Sequence, residues 1–295
     1  STAVTVTPGA QAGLYMAASL LLNPGDVVLV PEPVYVTYLG AIEQVGARVE
    51  TIPAVAAEGF RPDLDALEAA ITPKVKAIFL ANPNNPSGHI LTDAEIDRLA
   101  ALAITHDLWV VSDEVYETIV FDEPMRSLAA RADLADRVIK LGSLSKSMAM
   151  TGWRIGWMVG PRAFATHANR LAQAMHYGLQ PFLQQAAVTA LKDGAADVER
   201  MRRAYQRRRD LLAAVLGPLP GLKVLIPPAG MFMLVDITAT GLDANTFATA
   251  LYEATGVAVL DAEPFGRSLA GHIRDRKSTR LNSSTANISY AVFCL

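Results

Sequence analysis

Cysteine is nearly absent from this 295-residue chain: Cys294, next to the last residue, is the sole thiol. One thiol builds no disulfide framework, so a reducing, cytoplasmic setting is expected. Charge is scarce too: 26 Lys and Arg against 29 Asp and Glu give a formal net charge of −3, and charged residues make up 19%. No general positive field is present to attract nucleic acid or an acidic membrane surface. Long hydrophobic runs are also missing. Stretches such as Leu14 to Leu22 fall far short of the ~20 residues that span a bilayer, and no charged-then-apolar leader opens the chain. The expectation is a soluble, untargeted protein.

Two nucleotide signatures are missing as well, since no GxGxxG and no Walker-type loop occurs. The histidines His89, His106, His167, His176 and His272 form no i, i+3 or i+4 pair and have no cysteine companions, so no metal site is expected. Arg202, Arg203, Arg207, Arg208 and Arg209 alternate with Asp197, Glu199 and Asp210, which reads as a solvated helix face rather than a nucleic-acid stripe.

What is present is a globular composition, 51% apolar, long enough for about two domains. Strand patterns at Asp26 to Pro31, Arg48 to Ile52, Lys76 to Ala81 and Leu108 to Ser112 alternate with helical patterns at Val36 to Val45, Asp63 to Ile71 and Asp93 to His106. That alternation predicts βαβ units around a mostly parallel sheet covered on both faces. One long helix from Asp193 to Gly217 then precedes strands KVLI and MFMLVDI, a helix from Ala244 to Thr255 and a strand VAVL, which together predict a smaller α+β unit. The expected division is a large domain over 1–205, a small domain over 206–274 and a tail over 275–295.

Both ends have an unusual look. A strand and turn, Val4, Val6 and TPGA, follow Ser1 with no preamble, so a preceding segment is expected to have been lost. After Arg274 the text turns Ser/Thr/Asn-rich without amphipathic period and resembles translated adaptor sequence; this tail is expected to pack poorly.

Four clusters carry candidate chemistry. In SLSKSMAMTGWRIG, Lys146 lies among Ser143, Ser145 and Ser147 in apolar text, where desolvation favours the neutral, nucleophilic amine, and Arg154 supplies a neighbouring cation. Asp113 in LWVVSDEVYE falls at the carboxyl end of a parallel strand, where open α/β sheets bind ligands, although a helix-capping role fits it too. Tyr116 follows three residues on. ANPNNPSGH sets Asn84 and Asn85 between prolines, as a site or as a plain turn. In TPGAQAG, Gly9 precedes a helical pattern whose N-terminus can hold a phosphate. The Asn85–Pro86 and Glu32–Pro33 bonds are expected to be cis, an arrangement costing only about 0.5–1 kcal/mol before proline.

In this order the clusters resemble the class I/II aminotransferases, pyridoxal-phosphate enzymes of fold type I, across nearly all of residues 3 to 274. The resemblance implies that Lys146 is the Schiff-base lysine and that Asp113 pairs with the pyridinium nitrogen. It makes Tyr116 and Asn85 partners of the cofactor's phenolic oxygen, Tyr35 in PEPVYVTY the aromatic stacked on its ring, and Ala10, Gln11, Ser143 and Arg154 its phosphate ligands. Arg274 in GHIR resembles the clamp for the substrate α-carboxylate, with Asn85 beside it; Asp275 then departs from the family pattern, which continues with an apolar residue and Ser. A homodimer acting on an amino acid and a 2-oxo acid is implied.

A protonated pyridine is an electron sink that acidifies the substrate Cα–H, and a released Lys146 amine can move that proton. AMHYGLQPFLQQAA and the site motifs look most like arginine:pyruvate transaminases, with Glu32, Glu114 and Glu117 as candidate partners of a guanidinium side chain; aspartate or aromatic amino acids remain alternative donors. A C–S β-lyase on the same scaffold and an aminotransferase-like domain of a transcription regulator are competing readings.

Overall fold

The computed structural model describes residues 3–276. In chain order it runs β1 (Val4–Thr7), α1 (Ala10–Leu21), β2 (Val27–Pro31), α2 (Thr37–Glu43), β3 (Arg48–Ile52), a short hairpin of β4 (Ala54–Val55) and β5 (Arg61–Pro62), and α3 (Leu64–Ala69). Then come β6 (Val75–Ala81), α4 (Asp93–Thr105), β7 (Trp109–Asp113), β8 (Val138–Ser143), the single turn α5 (Leu144–Ser147) and β9 (Gly156–Val159). Three helices follow, α6 (Arg162–His176), α7 (Pro181–Asp193) and α8 (Ala195–Leu216), then β10 (Lys223–Leu225), β11 (Phe232–Asp236), α9 (Ala244–Thr255), β12 (Leu260–Asp261) and β13 (His272–Arg276).

Among the described residues, seven strands form one sheet in the order β1-β9-β8-β7-β6-β2-β3. The pairs from β8 through β7, β6 and β2 to β3 are parallel, and β9 is antiparallel to both β8 and β1. The α/β class with a mostly parallel central sheet is thus as the sequence predicts. Its near-continuous apolar strands follow from double coverage, because alternate side chains point to opposite faces. Val28, Val30, Phe79, Val111 and Ile139 pack toward α1, α2 and α6. Their neighbours Leu29, Ile78, Leu80, Val110 and Val138 pack toward α3 and α4. Each fully buried aliphatic side chain contributes about 1.5–3 kcal/mol of transfer free energy. The helix starts are specified locally. Asp63 caps α3 through the Asp65 and Ala66 amides, and α4 opens on a capping box in which Thr92 and Glu95 satisfy each other's backbone N–H groups.

A second sheet, β10-β11-β13-β12, is antiparallel and packs Met233, Val235 and Ile273 toward α8 and α9. Helix α8 carries the chain from the first sheet to this one, its Tyr205 packed with Tyr116 and Phe121 and its Leu212 and Leu216 with the second layer.

The long helix expected from Asp193 to Gly217 is α8, and a further helix that the sequence reading did not include, Pro181–Asp193, ends just before it at Gly194. A Cβ at Gly194 would lie 2.4 Å from the Ala190 carbonyl oxygen, and the backbone turns there into a new helix start. VAVL is not a strand over its length. Only Leu260 pairs, with Arg274 of β13, while Val259 packs against the α9 layer instead of joining the sheet edge. Finally, β13 runs two residues past Arg274, Asp275 and Arg276 pairing with Met233 and Phe232; residues 277–295 of the predicted tail lie outside the described residues.

Candidate active site

The carboxyl ends of three adjacent parallel strands, β6, β7 and β8, deliver Asn85, Asp113 and Lys146 to one edge of the large sheet, the edge where open α/β sheets bind ligands. Asp113 is the last residue of β7. One of its carboxylate oxygens accepts a 2.6 Å hydrogen bond from the Tyr38 hydroxyl, and the other accepts from the Val115 amide at 3.2 Å. Burial pushes the Asp113 carboxyl above its ordinary range, while Tyr38, the Val115 amide and the Lys146 charge pull it back. Tyr38 is pushed well above the usual phenol range, first by burial and then by Asp113, with Tyr116 and Tyr35 adding to it. Its hydroxyl therefore stays protonated and remains a donor to Asp113. Tyr38 was not singled out from the sequence. A local signal was there, because Tyr38 stands three residues after Tyr35, at the turn in which its amide donates to the Tyr35 carbonyl at 2.9 Å.

Lys146 is half-buried in α5, the turn that follows β8. Ser143 opens this turn as its N-cap: its oxygen accepts from the Ser145 amide at 3.0 Å and its hydroxyl donates to the Ile155 carbonyl at 3.0 Å. The Ser145 hydroxyl of the same turn is buried without a hydrogen-bond partner. Such an orphaned donor costs about 1–3 kcal/mol unless a ligand completes it.

Across the turn, Gly9 starts α1 with φ 84 and no side-chain cap, leaving backbone N–H groups of the first turn unclaimed by a capping side chain. Arg154, itself in the left-handed region at φ 51, lies directly on Gly9; a Cβ there would meet its Nη2 at 2.5 Å. Gly156 is equally constrained, because a Cβ on it would come within 2.7 Å of the Ala10 nitrogen and the Gly9 carbonyl carbon. A helix N-terminus, a guanidinium and a buried hydroxyl thus surround a cradle that only glycine backbones can form. This donor set suits a phosphate dianion. Gln11 is exposed at the same helix start, its side-chain oxygen accepting from the Thr37 hydroxyl at 2.7 Å.

On the far side Arg274, 6% exposed, has its Nη1 3.5 Å from the Asn85 side-chain oxygen. The neighbouring Asn84 is used structurally: its amide donates to the Pro33 carbonyl at 2.8 Å and its oxygen accepts from the Ser87 hydroxyl at 2.9 Å. Both predicted cis bonds, Glu32–Pro33 and Asn85–Pro86, are cis, as is Asn82–Pro83. Two aromatic residues absent from the sequence reading join the site. Phe232 lies against Arg274 and meets Tyr116 edge-on, and Phe265 covers Arg274 and stacks toward Tyr35.

The three acidic candidates for a basic donor side chain are occupied elsewhere. Glu32 accepts from Ser268, Glu114 is fully buried between Ser112, Ser127 and Lys140, and Glu117 pairs with Lys140. Among the described residues no group of three His, Cys, Asp or Glu side chains could hold a metal ion, and no helix is long and apolar enough to cross a membrane.

Comparison with known proteins agrees with this geometry. The family model for aminotransferase class I and II matches residues 1–292. The arginine–pyruvate transaminase AruH of Pseudomonas aeruginosa is 49% identical over 271 residues, 92% of this chain and 69% of that protein. An aspartate aminotransferase of Musicola paradisiaca is 36% identical, over 92% of this chain and 68% of its own length. The crystal structure of an aromatic aminotransferase from Pyrococcus horikoshii superposes with a TM-score of 0.90 at 32% identity, covering 94% of this chain and 74% of that one. An acid fixed at a strand end, a lysine beside it and an anion cradle on a helix start therefore have a family to go with them: the chain belongs to the class I and II aminotransferases, pyridoxal-phosphate-dependent transaminases.

Proposed function

We propose that this site binds pyridoxal phosphate and uses Lys146 to move the amino group of an L-amino acid to a 2-oxo acid. The observation that carries the reading is the Asp113 carboxylate, held at 2.6 Å by a phenol that keeps its proton and close enough to Lys146 to feel its charge. The cofactor supplies an electron sink that acidifies the substrate Cα–H. Asp113 would hold the ring nitrogen in its protonated form, with Tyr38 fixing the carboxylate through its hydrogen bond. Lys146 would anchor the cofactor covalently between turnovers and, once its amine is free, would be the base that removes the substrate Cα proton and the acid that delivers it across the imine nitrogen to the cofactor side. Tyr116 and Asn85 would hydrogen-bond the phenolic oxygen, and Tyr35 would cover the ring. Ala10 and Gln11 with the α1 amides, Ser143, Ser145 and Arg154 would hold the phosphate. Arg274, with Asn85, grips the α-carboxylate through a bidentate fork that orients the reacting C–H bond.

The division into a large cofactor domain over 1–205, a small domain over 206–274 and a separate tail is part of the same proposal, as is a working homodimer in the cytoplasm. Helix α7 supports the dimer: Val188 and Leu191, three residues apart on one of its faces, are exposed, and Phe182 elsewhere on the helix is 68% exposed, so apolar side chains there await a cover.

For the donor we propose arginine, with pyruvate as acceptor, on the similarity to AruH. Because Glu32, Glu114 and Glu117 are committed to internal partners, a guanidinium side chain would be met by groups other than these three. The expected result is a higher kcat/KM for L-arginine with pyruvate than for L-aspartate with 2-oxoglutarate, both measured by oxo-acid release. A preference for aspartate beyond about tenfold, or about 1.4 kcal/mol in transition-state binding, overturns the arginine assignment while leaving the transaminase reading intact.

A further inference from the structure

Arg274 is enclosed on both faces by aromatic rings. Its guanidinium carbon lies 4.5 Å from the centre of the Phe232 ring and 4.2 Å from that of Phe265. Phe232 reaches it along the sheet, since Leu234 of β11 is the cross-strand partner of Arg274 and Phe232 lies two residues on, with the same facing. Phe265 comes from the turn between β12 and β13, and that turn is fastened to the large sheet. The Val34 amide donates to the Phe265 carbonyl at 2.7 Å, and one Glu32 oxygen accepts from the Ser268 amide at 3.2 Å and its hydroxyl at 3.0 Å. Glu32 is 5% exposed, and Gly266, at φ 147, passes so near that a Cβ would stand 2.7 Å from the same oxygen. Beyond the sandwich, Phe265 stacks toward Tyr35 at 6.5 Å and 29°, and Phe232 meets Tyr116 at 6.1 Å and 75°. Tyr35, Phe265, Arg274, Phe232 and Tyr116 therefore form one continuous row.

We infer that Phe232 and Phe265 are positioning residues for the substrate α-carboxylate, acting through Arg274, and that Glu32 is the residue that sets Phe265 in place. The inference rests on the reading of Arg274 as the carboxylate clamp. A guanidinium donates only in its own plane, so rings on both faces fix the plane in which a carboxylate can be gripped. The rings also keep water off the charge, which strengthens its attraction for an anion, and they hold the side chain in one arrangement before binding, which removes an ordering cost. Glu32, which by sequence position is a candidate for the donor side chain, serves here as a structural anchor 236 residues away from its partner Ser268.

The test is carboxylate binding and the KM-against-kcat split in the purified protein. Propionate affinity is measured calorimetrically, and KM is measured for both the amino acid and the 2-oxo acid. Phe265→Leu, which keeps an apolar filling without ring faces, is expected to weaken propionate and raise both KM values about tenfold, or about 1.4 kcal/mol, with kcat within about threefold of the parent. Phe265→Tyr should restore parental values, Glu32→Ala should follow Phe265→Leu, and the half-reaction with an amine lacking a carboxylate should be unchanged in all of them. Equal losses with the carboxylate-free amine, or parental propionate binding in Phe265→Leu, would overturn the inference. Arg274→Gln separates the two layers. If it leaves propionate binding and KM unchanged, the clamp reading itself is wrong; if it abolishes propionate binding while Phe265→Leu and Phe232→Leu do not weaken it, only the positioning role is lost.

Discussion

Replacing Lys146 by alanine is expected to lower transamination by about 10⁴-fold, the upper range for a positioned proton-transfer group, and by more where its covalent role also counts. The fold should survive. Lys146 sits half-buried in a single helical turn, and the packing of that region comes from Leu144 and Ile155 rather than from the lysine. The variant should still take up pyridoxal phosphate through the cradle of Gly9, Ala10, Ser145 and Arg154, because those groups do not depend on the amine. Steady-state rates together with cofactor retention on gel filtration check the prediction. Activity near that of the parent would remove Lys146 from the mechanism.

Asp113→Asn should show the same division to a smaller degree, with cofactor retained and turnover reduced by about 10²–10³-fold, comparable to the loss of one preorganised electrostatic contact at a reacting centre. The substitution keeps volume and the hydrogen bond from Tyr38 but removes the charge that holds the ring nitrogen protonated. A pH signature accompanies it. Burial raises the Asp113 carboxyl above its ordinary value, so its protonation begins at a higher pH than that of an exposed aspartate. The charged form is the working one, so the parental rate should fall as the pH drops through that raised value, and Asp113→Asn should lack this acid limb. A parental pH–rate profile in the variant, or full turnover, contradicts the electron-sink role. The Tyr38 hydroxyl sharpens the expectation, because its own pKa is driven upward and it remains a donor to Asp113 across the working range.

Much of this architecture was legible in the sequence. Strand patterns such as Arg48 to Ile52 and Lys76 to Ala81 are apolar or β-branched enough to announce themselves, and the cap Thr92 with Glu95 marks a helix start to within a residue. The motifs around Asp113 and Lys146 were legible because chemistry restricts which residue types can stand there. What escaped the reading was whatever depends on distant contacts. Phe232 and Phe265 sit in apolar text and look like ordinary core residues until Arg274 is found between them. Glu32 looked available for a substrate because nothing local shows that Ser268 will meet it. VAVL has strand composition, yet most of it stays unpaired, since pairing at a sheet edge is set by the partner strand and not by local propensity.

Lys140 lies six residues before Lys146 and provides an internal control for the identity of the anchoring lysine. Burial works against its charge, but Glu114 and Glu117 more than offset that and hold it protonated, which makes it a poor nucleophile. The direct measurement is to load the protein with pyridoxal phosphate, reduce it with borohydride, digest it and locate the modified lysine by peptide mass mapping. A single pyridoxyl group on Lys146 and none on Lys140 is expected; a label on Lys140 or any other lysine in place of Lys146, or no covalent label at all, would contradict the role of Lys146 as the anchor.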